Sequence, residues 1–297
     1  MLECLLFHYI PDDIGEVLSM KKSTLGAIQI VLAATCWSVA GVFTKSLPWG
    51  GMTVFGLRAL FAMLFLLPPR IVNGLHFTKA NLLGALGVAG TGILFINATK
   101  LTSAANAIVI QYAAPVIVIA INWFMFHQRP TKLRLITAAI IFIGVMLCSM
   151  GGGESSHLSG DLLAVLSAVT WALVFACSQM NGANASEYTF IGMMMSAPFA
   201  AFAFFDPNMT MNTTHWLSIA VMALCLASGY FFLTLGMKNT SAISAALLSN
   251  LEPVLNPLWV FLFLGEAPGV WSIVGAFVVI GSTASYAVLE NRAGGKA

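Results

Sequence analysis

The chain has 297 residues, of which 59% are hydrophobic and only 8% charged, with a mean hydropathy of +0.91. A soluble domain carries about 25% charged residues, so a water-soluble globule is excluded, and the loops between apolar stretches are too short to form one. The net charge of +2 offers no basic face to a nucleic acid.

Residues 1–20, "MLECLLFHYIPDDIGEVLSM", are too short and interrupted for a membrane span and lack the basic start of a signal peptide. We read 1–22 as a cytoplasmic tail, either an over-extended upstream start or a disordered segment, with a short interfacial helix as the alternative. Beyond it, apolar stretches long enough to cross about 30 Å of hydrocarbon follow one another at 25–44, 53–69, 81–98, 102–126, 133–150, 160–179, 188–205, 215–236, 240–264 and 268–289. The expected class is therefore all-α integral membrane, with ten transmembrane helices and a short cytoplasmic tail at 291–297.

The basic residues orient the spans. With the N-terminus in the cytoplasm, Lys21, Lys22, Arg70, Lys79, Arg129, Lys132, Arg134, Lys238, Arg292 and Lys296 lie inside and only Lys45 and Lys100 outside, while Arg58 falls within the second span. That bias obeys the positive-inside rule. Both termini are then cytoplasmic, and a cell inner membrane is the expected location.

Of five cysteines, Cys36, Cys148, Cys177 and Cys225 fall inside spans without paired or metal-like spacing, and read as small apolar packing residues. His8, His76, His127, His157 and His215 lie at span ends or in loops. No metal site, phosphate-binding loop or H-E-x-x-H pattern is present. An intramembrane enzyme needs opposed catalytic groups at one depth, and only Glu252 is deep, so no catalytic residue is assigned.

The chain also resembles itself. Shifted by 134 residues, "LGAIQIVLAATCW" lies on "SGDLLAVLSAVTW", pairing Gly26 with Gly160 and Trp37 with Trp171. Shifted by 138, "KLTSAANAIVIQYAAPV" meets "KNTSAISAALLSNLEPV" with seven of seventeen positions identical, among them Lys100/Lys238, Ser103/Ser241 and Pro115/Pro253. Two repeats of five spans follow, at 23–152 and 158–290. Because five is odd, the second repeat enters the membrane upside down. Inverted repeats supply the two near-equivalent conformations of an alternating-access carrier; duplication kept for packing alone is the other reading.

The blocks "TSAANAIVIQYAAPV…FHQRP" and "TSAISAALLSNLEPV…FLGEAP", the tryptophan in the first span of each half and the arginine early in the second span resemble the EamA family of drug/metabolite transporters. The resemblance covers residues 20–290. It implies ten helices in two inverted halves, a central cavity lined by the first, third, fourth, sixth, eighth and ninth spans, and transport without ATP hydrolysis. Gln128 stands where the family carries an acid after the fourth span, whereas Glu266 keeps that acid in the second half.

Candidate site residues come from intramembrane polarity. Counted from Thr240 at 1.5 Å per residue, Glu252 is about 18 Å deep, where a carboxylate either stays protonated or has a partner. Ser249, Glu252 and Asn256, spaced i, i+3 and i+7, are expected on one helical face. Pro253 and Pro257, with Pro115 in the first half, free backbone carbonyls, which is tolerated at that depth only against protein or a wet cavity. Glu252 then either couples protons and holds a substrate amine, or fixes a kink as a protonated acid. Arg58, about 8 Å below the outer surface, either attracts a substrate carboxylate or Glu252, or snorkels outward. Trp37, Trp171, Tyr112, Tyr230 and Phe95 are cavity or core aromatics, and Asn97, Asn106, Gln111 and Asn250 are polar candidates.

The sequence thus reads as a secondary exporter of small metabolites, amino acids or related amphipathic compounds leading, driven by proton antiport. No cofactor is expected beyond the proton as coupling ion. Partners are the small-molecule substrate and the lipid bilayer, with a monomer or homodimer as the assembly. An uncoupled facilitator or drug exporter of the same fold is the nearer alternative; a non-transporting membrane receptor or lipid-handling protein is the distant one.

Overall fold

The computed structural model describes residues 12–45, 47–102, 104–149, 158–264 and 269–294, and every regular element among them is helical. Helix α1 runs from Asp12 to Lys45, so residues 12–22, expected as a separate tail, are continuous with the first span. No proline occurs between Pro11 and Pro48, and Asp12 and Asp13 sit where the helix dipole favours negative charge. Helix α2 (Gly51–Leu66) leads almost directly into the short α3 (Pro68–Asn73), whose prolines take first-turn positions that need no N–H donor. Helix α4 (Lys79–Leu101) is capped by Thr78, whose Oγ1 accepts from the Asn81 N–H at 3.1 Å.

The expected fourth span is two helices, α5 (Ala104–Gln111) and α6 (Ala114–Phe126), followed by α7 (Lys132–Ser149). In the second half come α8 (Leu158–Ala176), α9 (Ala185–Ser196) continued by a 3-10 helix at Ala197–Phe204, and α10 (Thr213–Gly236). The expected ninth span is again two helices, α11 (Ala242–Ser249) and α12 (Glu252–Leu264). Helix α13 (Val270–Gly294) extends into the segment expected as the C-terminal tail. Glu266 lies outside the described residues.

Among the described residues, five stretches are long and apolar enough to cross a membrane: Lys79–Thr99, Ala107–Phe126, Leu158–Gln179, Thr213–Gly236 and Ile273–Glu290. Gly51–Leu66 and Ala242–Leu255 are shorter apolar helices. The chain is an all-α, multi-pass membrane bundle.

Two features tie the sequence repeat to the packing. The bounds of α5 and α6 shifted by 138 residues are those of α11 and α12, so both halves break a helix at the same place. The broken ends meet: Asn250, at the second break, donates through Nδ2 to the carbonyl of its matched residue Tyr112, at 3.0 Å. The halves also interdigitate, since α1 packs on α10 and α12 while α8 packs on α4, α5 and α6. Matched glycines permit this closeness. A Cβ on Gly26 would overlap the Thr240 side chain, and one on Gly160 would overlap the backbone of Thr102, the residue that matches Thr240.

Candidate functional site

The proline in each half explains the breaks and, through them, the site. Pro115 and Pro253 each occupy the second position of a new helix, where the missing N–H is harmless, but neither can continue the helix before it. At the first break the Val116 N–H turns to the Ala113 carbonyl, which leaves the Tyr112 carbonyl for Asn250. At the second, Asn250 and Leu251 donate to Leu247 and Leu248, and Glu252 opens α12. Its charge at that N-terminus has the sign the helix dipole favours.

Beside these breaks lies a cavity of about 230 Å³. Its aromatic wall is Trp37 on α1, Trp171 on α8 and Tyr230 on α10. Trp37 meets Trp171 at 5.4 Å and Tyr230 at 5.2 Å between centroids, both edge to face, within the range where ring quadrupoles attract. Trp37 can reach this position because residue 229 is glycine; a Cβ there would overlap the indole. Phe55, Phe95 and Ile108 contribute to the apolar lining.

The polar wall gathers residues far apart in sequence. Arg58 on α2 and Glu252 on α12 both line the cavity, with the Tyr112 hydroxyl beside the Glu252 carboxyl and Tyr230 near both charges. Arg58 and Glu252 are not among the described ion pairs, and the buried Nε of Arg58 has no hydrogen-bond partner. A buried guanidinium N–H without a partner is costly, so a ligand anion there would relieve it. Gln111 is held by Nε2 donating to Ser167 Oγ at 3.0 Å, and that hydroxyl in turn donates to the Thr91 carbonyl at 3.2 Å.

The structure thus brings Trp37, Arg58, Gln111, Tyr112, Trp171, Tyr230, Glu252 and Pro253 to one cavity. Arg58 is part of that lining. Other expected residues go elsewhere. Ser249 is not on a continuous face with Glu252, because the chain turns at Asn250–Leu251; its buried hydroxyl donates to the Ala246 carbonyl at 2.8 Å. Asn97 donates to the Ile93 carbonyl of its own helix at 2.7 Å. Asn256 and Pro257 fall within α12 and Asn106 within α5, with side chains outside the described part. The lining also includes Phe55, Thr91, Met193 and Ser196, which the sequence did not single out. The second and seventh spans therefore contribute, beyond the six that the resemblance implies. Only Thr91, between Gly90 and Gly92, carried a signal, a hydroxyl set among residues that admit close approach.

A polytopic helical membrane bundle with an internal, partly polar cavity can hold a small solute within the membrane. The EamA-like transporter family matches residues 24–150 and again 158–287. The chain belongs to that family, as two EamA-like repeats, and is a transporter of small molecules rather than an enzyme. It is 25% identical to an uncharacterized transporter of Clostridium kluyveri, over 90% of this chain and 94% of that one. It is 23% identical to solute carrier family 35 member G1 of Mus musculus, over 95% and 84%. A solved crystal structure with 18% identity has the same fold, with a TM-score of 0.74 over 92% of this chain and 98% of the other.

Proposed function

We propose that this protein is a secondary-active exporter of amino acids or related amphipathic metabolites, working by alternating access and proton antiport. The observation that carries the reading is the cavity at the crossing of two matched helix breaks, with Arg58 and Glu252 on one wall and three aromatic rings on another. Arg58 would receive the substrate carboxylate. Glu252 would hold the substrate amine in one half-cycle and a proton in the other, with the rings packed on the side chain. A space of about 230 Å³, at about 30 Å³ for each water in the liquid, favours solutes of amino-acid size.

The ten-span arrangement, read as repeats at 23–152 and 158–290 in opposite orientation, belongs to the same proposal. It is supported by the exchange of contacts between halves, Gly26 on Thr240 against Gly160 on Thr102. Matched pairs touching reciprocally are what a two-fold axis between the repeats produces, and an odd number of spans per repeat would set that axis in the membrane plane. Both termini would face the cytoplasm of an inner membrane, with the protein acting as a monomer or homodimer.

Purified protein in liposomes tests the function through counterflow of labelled amino acids. Saturable counterflow is expected, and its absence across the amino acids would refute the substrate class. Glu252→Gln should retain counterflow, which needs no net proton movement, at a raised KM because the amine loses its carboxylate partner, while losing uptake driven by an imposed pH gradient. Retained pH-driven uptake in that variant would refute the coupling role.

A further inference from the structure

The charges take up one part of the cavity wall; another is built where α4 packs on α8. Gly87 and Gly90 let these helices approach, since a Cβ on Gly87 would stand 2.9 Å from the Thr170 carbonyl oxygen and one on Gly90 2.9 Å from the Thr170 methyl. The approach brings Ser167, which has no exposure, within reach of α4, where its hydroxyl donates to the Thr91 carbonyl at 3.2 Å. A serine has one hydroxyl proton. Having given it to Thr91, Ser167 can only accept from Gln111, so the Gln111 amide turns Nε2 toward it, at 3.0 Å.

That bond fixes which end of the amide faces away. Gln111 Oε1 has no partner among the described residues, yet it is not enclosed as the Nε of Arg58 is, and Gln111 lines the cavity. Its carbonyl oxygen therefore opens on the cavity as an acceptor held in one orientation. Thr91 and Ser196, also in the lining, have spent their protons on the Gly87 carbonyl at 2.6 Å and the Gly192 carbonyl at 2.8 Å. Toward a ligand these hydroxyls too can only accept. The repeat does not demand the arrangement. The residues matched to Gln111 and Ser167 are Ser249 and Ala33, and Ser249 turns its hydroxyl to the Ala246 carbonyl.

The place of the amide relative to the charges follows from α8. Trp171 stands one turn beyond Ser167, about 6 Å along the helix, and its ring meets Tyr230 at 6.5 Å between centroids. Tyr230 lies near both Arg58 and Glu252. The aromatic wall thus runs from the amide toward the charges.

We infer that Gln111 is a specificity-determining residue, whose carbonyl oxygen accepts from the substrate's side chain and selects amino acids bearing a hydroxyl or amide N–H there over apolar ones of the same shape. The inference rests on the amino-acid reading above. With the carboxylate at Arg58 and the amine at Glu252, the side chain runs along the rings to the amide. An apolar side chain strips water from Gln111 Oε1 and returns no donor, which is how a polar site rejects an isostere. The fixed orientation matters equally, because an amide free to turn would offer Nε2 to one ligand and Oε1 to another.

Counterflow into liposomes of purified protein compares threonine with valine, which differ by a hydroxyl in place of a methyl. In the parent the KM for threonine should lie about tenfold below that for valine. Gln111→Met, similar in length and without the amide oxygen, should bring the two within about twofold of each other. Ser167→Ala keeps the acceptor but releases the amide, and should narrow the ratio to about threefold. A merely structural role would weaken both solutes alike and leave the ratio at its parental value; that result would overturn the inference, as would equal KM values in the parent. If Gln111→Met fails to give a single folded peak in detergent, Ser167→Ala decides. Saturable counterflow without a threonine preference refutes the selection alone, whereas no counterflow of any amino acid refutes the transport reading and the selection with it.

Discussion

Asn250 offers a stringent test of how the two halves are joined. It is 1% exposed, and its Nδ2 donates to a Tyr112 carbonyl that has lost its helical partner because the Val116 N–H bonds Ala113 instead. Asn250→Ala removes that donor and leaves a buried carbonyl unpaired, a loss of about 1–3 kcal/mol. At about 2–4 °C per kcal/mol for a chain of a few hundred residues, the melting temperature should fall by about 2–12 °C. Thermal unfolding in detergent, followed by tryptophan fluorescence, reads the shift. Asn97→Ala is the control: its amide bonds a carbonyl of its own helix and is half-buried, so it should cost within about 0.5 kcal/mol. Asn250→Asp, which sets a carboxylate against the same carbonyl, should be at least as damaging as the alanine. Equal melting of Asn250→Ala and the parent would show that the crossing of the two breaks carries no energy, and the reasoning from matched breaks would fail.

Two further outcomes follow from the cavity walls. Arg58→Ala should raise the counterflow KM for amino acids about tenfold or more, as expected for a lost charge-assisted hydrogen bond. The corresponding amines without a carboxylate should be little changed, and equal losses for both classes would remove the carboxylate role. Gly229→Val should drive the Trp37 indole toward the cavity, since even a Cβ at that position overlaps the ring. Overpacking of about 1–3 kcal/mol, with a raised KM, is expected; parental stability and KM would mean that the ring has other room.

The halves were legible because a repeated helix break leaves a repeated proline. Pro115 and Pro253, each with a Lys-x-Thr-Ser-Ala block before it, stand beside the two breaks, although the sequence read each segment as one span and also took Pro257 as a breaker, whereas Pro257 lies within an unbroken α12. Trp37, Trp171 and Glu252 were conspicuous for a related reason, a matched pair of tryptophans and an acid at mid-span positions. The stripe of Ser249, Glu252 and Asn256 was misjudged from the same prolines. Helical periodicity was carried across a turn, so Ser249 was placed on the face of a helix that ends with it.

Glu187, a buried carboxylate in the first turn of α9, was missed because its partners are set at long range. Asn184-x-x-Glu187 resembles a helix-capping box, and Asn184 does accept from the Ser186 N–H at 3.1 Å. The carboxylate, however, accepts from the Asn184 side chain and not its backbone N–H, and also reaches His76 and Asn81, more than a hundred residues earlier in the chain. Arg70 looked like one more orienting charge until α9 was placed beside it. The extension of α1 back to Asp12 was hidden because hydropathy reports only the apolar part of a helix, while backbone bonding continues through "DDIGEVLSMKK" without a breaker.

Opposed orientation of the halves is the claim on which the carrier mechanism stands, and one topology measurement addresses it directly. In a cysteine-free background, Lys100→Cys and Lys238→Cys, matched positions at the end of the third span of each half, are labelled with an impermeant maleimide in intact cells and in inside-out vesicles. The account predicts that Lys100→Cys reacts only in intact cells and Lys238→Cys only in inside-out vesicles. Reaction of both from the same side would contradict it.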